Sequence, residues 1–136
     1  MTITTVPTFT ATIYVGLVER MTGLGTPPSV AKSKIKEYVN AVGLCVTYTE
    51  TEFIYTKGDG IVSRSGGEPG FIVGLINYPR FPSSPEQIKA HAIAIAEMLL
   101  KTCKQLKITV VMPTETVMIS APETTDSSVL EHSEIR

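Results

Sequence analysis

Two stretches of this chain repeat apolar residues at steps of three and four, and each lies between runs that alternate every second residue. That order constrains the fold more than any single motif, because a helix apolar on one stripe must be laid against something, and a sheet is what surrounds it. Residues 9–18 place Phe9, Ala11, Ile13, Val15 and Leu17 on one side of a strand. After the breaker-rich Thr22–Pro28, Ser29 is expected to cap a helix carrying Ala31, Ile35, Tyr38, Val39 and Val42 on one face, with Gly43 ending it. Alternation then predicts strands at 44–49 and 53–56 with a tight reversal at Glu50–Thr51 and a long glycine-rich loop over 57–70, and residues 71–76, apolar on both faces, read as a central strand. Ser84-Pro-Glu-Gln87 is a capping box opening a second helix. Its apolar face runs through Ile88, Ala92, Ile95, Leu99, Thr102 and Leu106, and strands at 108–112 and 116–119 close the series. The expected fold class is therefore α+β. It is a ferredoxin-like-type sandwich, a mostly antiparallel sheet with both helices on one face and an extra hairpin strand in each half. Ile54, Ile72 and Ile76 are expected on the open face, where a second copy of the chain would cover them.

A length of 136 residues fits one domain, placed at residues 1–120, with 121–136 as a polar, acidic and disordered tail. The chain carries a formal charge of -1, but the tail holds four acids against Arg136, so the body carries eleven bases against nine acids. Such a body can attract a small anion, while the absence of a basic excess argues against duplex nucleic acid as a partner. No apolar run reaches the roughly 18 residues of a membrane span, and the start has no basic-then-apolar leader, so a cytoplasmic protein is expected. Cys45 and Cys103 are expected as reduced core thiols, and His91 and His132 supply no metal-ligand cluster. Neither a metal nor another cofactor is expected.

The segment Asn77-Tyr-Pro-Arg-Phe-Pro82 is the chemically richest. Two prolines stiffen the backbone around a guanidinium between two aromatic rings, just before a helix N-terminus. Arg80 is suited to planar recognition of phosphate or carboxylate. Tyr78 or Phe81 can stack on a base, and Asn77 can read a polar edge. Glu19 and Arg20, at the end of the first strand, are expected to face the same crevice. The structural alternative is a stiff loop whose rings close the end of the core. Catalysis has thinner support: no nucleophile elbow is present, and His91 or Glu115 would have to act as the base.

Tyr14-Val-Gly-Leu17, Gly43-Leu-Cys-Val-Thr47 with Phe53-Ile-Tyr-Thr56, and Gly74-Leu-Ile-Asn-Tyr-Pro-Arg-Phe-Pro82 together resemble small proteins carried by phages and mobile elements, over about residues 12–119. Some phage proteins of this size are sponges, oligomers that sequester the nucleotide signals of bacterial immunity. The resemblance implies an anti-defence protein of viral origin acting in the host cytoplasm. The expected function is a non-catalytic homo-oligomer that binds and sequesters a small anionic, nucleotide-like ligand through Arg20, Asn77, Tyr78, Arg80 and Phe81. The alternatives are a small enzyme on a dimeric ferredoxin-like scaffold and an inhibitor that binds a host protein.

Overall fold

The computed structural model describes residues 1–19, 22–54 and 67–122. Its elements are β1 (Thr10–Gly16), α1 (Pro28–Val42), β2 (Val46–Ile54), β3 (Gly67–Ile76), α2 (Pro85–Thr102), β4 (Lys107–Val111) and β5 (Thr116–Ser120). The sheet order is β2-β3-β1-β4-β5, and every neighbouring pair is antiparallel. The first four strands and both helices make the ferredoxin-like-type sandwich, and β5 is added beyond β4.

Alternation assigns the sides. Ala11, Ile13 and Val15 of β1, Phe71, Val73 and Leu75 of β3, and Ile108 and Val110 of β4 face the helices and are buried. They meet Ala31 and Ile35 of α1 and Ile88, Ala92, Ile95 and Leu99 of α2 in one core. The capping box forms as the sequence predicts: Gln87 N–H donates to Ser84 Oγ at 3.1 Å, and Ser84 N–H donates to Gln87 Oε1 at 2.8 Å. Gly43 ends α1 at φ 73, in the left-handed region where a side chain is strained. Ser29 does not cap α1. The helix begins at Pro28 after an extended Pro27, because a residue before proline is kept out of the helical region and proline itself suits the first turn.

The expected strand pair at 44–49 and 53–56 is a single strand, β2, which pairs with β3 in one register from Val46↔Leu75 to Ile54↔Gly67. The break in alternation at Glu50–Thr51 has another cause. Val46 and Tyr48 face the helix side and pack on the core, whereas Phe53 has the opposite parity and packs on the open side against Tyr14. The apolar residues change sides and the strand does not turn. By the same parity Ile54 stands on the helix side, past the cover of the helices and 81% exposed, so only Ile72 and Ile76 share the open face as expected. Cys103 is buried, but Cys45, at the entry to β2, is exposed and is not a core thiol. No helix among the described residues is long and apolar enough to cross a membrane. Residues 55–56 of the expected strand at 53–56, 57–66 of the expected glycine-rich loop and 123–136 of the acidic tail lie outside the described residues, and β3 starts earlier than the sequence predicts, at Gly67.

Candidate functional site

Among the described residues the one buried carboxylate is Glu68, 2% exposed, near the start of β3. Taking an ionised group out of water costs several kcal/mol unless hydrogen bonds replace the lost hydration. Here the backbone N–H of Val18, just past β1, donates to Glu68 Oε2 at 2.9 Å. Glu68 has the open-face parity of its strand and stands directly across from Phe53 of β2. Phe53 lies in turn edge-on to Tyr14, with ring centroids 6.5 Å apart at 64°. A carboxylate beside an aromatic wall is a setting that favours an organic cation carrying a flat ring.

Gly16 makes this arrangement possible. A Cβ at that position would stand 2.5 Å from Glu68 Oε2 and 2.9 Å from Gln105 Oε1, so both side chains converge over a residue that has none. Gln105, also buried, donates from Nε2 to the carbonyls of Val18 at 2.7 Å and Cys103 at 3.1 Å. It thereby anchors, through its carbonyl, the same residue whose N–H holds Glu68. Lys104 adopts φ 52 at the end of α2, and Gln105 N–H returns to the Leu100 carbonyl at 3.0 Å, a left-handed helix stop built without glycine. Lys104 Nζ pairs with Glu19 at 3.8 Å, linking this stop to the loop after β1. Residues from β1, β2, β3 and the α2–β4 turn thus meet at one end of the sheet.

The residues singled out from the sequence fall elsewhere. Asn77 follows β3 at the opposite end of the sheet, because Thr10 pairs with Ile76 and Gly16 with Gly70. Six residues of strand, about 20 Å, therefore separate the two ends. Glu19 is not brought beside Asn77, and Arg20 lies outside the described residues. Asn77 is 9% exposed and spends its side chain on the fold, donating to the Pro7 carbonyl at 2.7 Å and accepting from Ser83 N–H at 2.8 Å. Tyr78 and Phe81 are exposed with rings 5.9 Å apart, and the Arg80 guanidinium lies 5.5 Å from the Phe81 centroid. His91 Nδ1 stands 2.8 Å from the Tyr38 hydroxyl across the two helices, and Glu115 pairs with Lys89. Among the described residues no three His, Cys, Asp or Glu side chains gather to hold a metal.

Glu68, Gln105 and Gly16 are not among the site residues expected from the sequence. Glu68 sits in a glycine-rich stretch that reads as loop. The signal was there in Glu-Pro-Gly leading without a break into Phe-Ile-Val-Gly-Leu-Ile: a lone acid on the entry to a central strand has to be buried or satisfied.

No protein-family model and no curated protein sequence matches the chain. Two solved structures share its fold. One is a phage SAM lyase in the apo state, with a TM-score of 0.66 and 20% identity over 85% of this chain and 91% of that one. The other is a phage SAM lyase in complex with S-methyl-5'-thioadenosine, with a TM-score of 0.67 and 21% identity over 89% of this chain and 95% of that one. The likeness bears out a resemblance to phage proteins and corrects the functional expectation. Both of these structures are of a lyase, an enzyme, which counts against the expected non-catalytic sequestering protein and favours the enzyme alternative.

Proposed function

We propose that this chain is a lyase that cleaves S-adenosylmethionine (SAM) and releases S-methyl-5'-thioadenosine. The observation that carries the proposal is Glu68, a buried carboxylate against an aromatic wall, in a fold shared over nearly its whole length with a phage SAM lyase. SAM is a flat base on a ribose, joined through a sulfonium to an amino acid, so it brings two cationic centres and one ring. Glu68 supplies the negative charge that holds the cationic part, and Tyr14 and Phe53 supply the face for the ring. Val18 N–H and Gln105 fix the carboxylate before substrate arrives, so no reorganisation is needed on binding.

The chemistry asks little of the protein. When the bond between sulfur and the amino-acid carbon breaks, its electron pair stays on sulfur and cancels the sulfonium charge. The thioether departs neutral and needs no proton. The carbon left behind is taken by the fragment's own carboxylate. The step needs no covalent bond to a side chain. The role of Glu68, Val18 and Gln105 is to hold the amino-acid arm folded toward the carbon under attack.

The reading includes a homo-oligomer packed through the open face, where Tyr14, Ile76, Val111 and Met118 are exposed beside threonines. It also places the chain as a viral protein in the host cytoplasm, where loss of a methyl donor would blunt methylation-dependent defence. The deciding experiment incubates the purified chain with SAM and follows thioadenosine by chromatography with mass detection. Turnover that falls at least tenfold in Glu68→Gln, with the melting profile retained, is the expected result. No thioadenosine above the spontaneous rate would overturn the assignment.

A further inference from the structure

A groove follows the seam between α1 and the start of β2, on the helix-covered side of the sheet. Its inner part, about 510 Å³, is bordered by Lys32, Lys36, Leu44 and Tyr48. Its outer part, about 740 Å³, continues past Lys36 and Leu44 to Phe81. Lys36 and Leu44 border both, so the two parts are continuous, and each falls in the size range of small-molecule sites.

Two cations border this path, and a third lies against a ring that borders it. Lys32 Nζ stands 4.7 Å over the Tyr48 ring, Lys36 follows one helical turn later, and Arg80 rests against Phe81 at the far end. Among the described residues the carboxylate partners go to Lys34, Lys89 and Lys104. Glu37, which borders the outer part, pairs with Lys34 at 4.0 Å. Lys32, Lys36 and Arg80 have no ion pair there. Two lysines four apart on a helix repel each other mildly, and an anion between them removes that repulsion. Tyr48 is held stacked on Phe71, with ring centroids 4.9 Å apart at 21°, so the aromatic side of the groove is rigid before anything binds.

We infer that this groove is a second, non-catalytic site for a small aromatic anion, a planar ring bearing a phosphate or carboxylate. The anionic group sits between Lys32 and Lys36, and the ring lies over Leu44 toward Phe81 and Arg80. Asn77 keeps the Tyr78–Phe81 loop in place through its bonds to Pro7 and Ser83. The site stands apart from Glu68, on the other face and at the other end of the sheet, and does not depend on the lyase reading.

Calorimetry on the full chain tests it with AMP and salicylate as ring-bearing anions, and with adenosine and inorganic phosphate as the separate halves. At least one ring-bearing anion should bind with Kd below about 1 mM and at least tenfold tighter than adenosine or phosphate. Whether AMP or salicylate binds tells phosphate from carboxylate. Lys32→Ala/Lys36→Ala should weaken binding tenfold or more, Phe81→Ala should also weaken it, and Glu68→Gln should leave it unchanged. Thioadenosine release should match wild type in the lysine double variant. Failure of both anions to bind, unchanged affinity in the lysine variant, or loss with Glu68→Gln would each overturn the inference. A melting scan with ligand controls for folding, since only binding to the native state raises the midpoint.

Discussion

Replacing Gly16 with alanine tests the candidate site without removing a charged group. The new methyl would stand 2.5 Å from Glu68 Oε2, 3.0 Å from Glu68 Cδ and 2.9 Å from Gln105 Oε1. Both neighbours are buried and hydrogen-bonded, so neither moves freely. Overpacking of this kind costs about 1–3 kcal/mol. Displacing the carboxylate also weakens its bond to Val18 N–H, a charged hydrogen bond worth about 1.5–3 kcal/mol. Against this, alanine restricts the unfolded chain and returns about 0.4–1 kcal/mol. The expected net loss is about 2–4 kcal/mol, read as a fall in the urea midpoint at constant slope. Gln105→Ala removes one of the two collisions. The cost of Gly16→Ala measured in that background should shrink by about 1 kcal/mol or more. A Gly16→Ala protein as stable as wild type, or a cycle with no coupling, would refute the convergence of Glu68 and Gln105 over Gly16.

Thiol chemistry and alkali report on the core. Cys45 should react with a thiol reagent at once and Cys103 only in denaturant, because burial pushes the Cys103 thiol from 9.0 up to about 11. The native state therefore keeps a proton that the unfolded chain loses above pH 9. Stability from this group should be intact below pH 9 and decline by on the order of 2 kcal/mol as pH rises to 11, and Cys103→Ala should flatten that decline in urea titrations. Burial likewise raises Tyr38 and Tyr48, which add to the loss above pH 10. Tyr38→Phe removes the 2.8 Å contact with His91 and should cost about 1 kcal/mol, seen as a lower melting midpoint. Gly43→Ala forces a side chain into φ 73 and should cost about 1 kcal/mol in the same assay.

The helices were legible because their signals are local. The Ser84–Gln87 box and the Gly43 stop need only a few neighbouring residues, and both form as read. The candidate site was not legible because it is assembled from residues far apart in sequence: Gly16, Phe53, Glu68 and Gln105 meet only once β1 and β3 are paired. Chemical richness also misled. Asn77 has the look of a recognition residue, yet its amide holds two pieces of backbone together. Arg80 rests against the ring of Phe81, which borders the groove, and is not beside the buried carboxylate.

The change of sides within β2 constrains how that strand can join the sheet. Sliding it by one residue against β3 would carry Val46 and Tyr48 out from under the helices and push Phe53 to the opposite face in the same step. An edge strand whose apolar residues all lie on one side is penalised for such an error once; this one is penalised at both ends. This outermost strand is therefore protected against every odd slip, even though nothing flanks it on its outer side among the described residues. A one-residue insertion near Thr49 would leave one half in register and put the apolar residues of the other on the wrong face, whereas a two-residue insertion would restore the parity and shift only the pairing. Insertion scanning along β2 should show that even–odd alternation in folded yield.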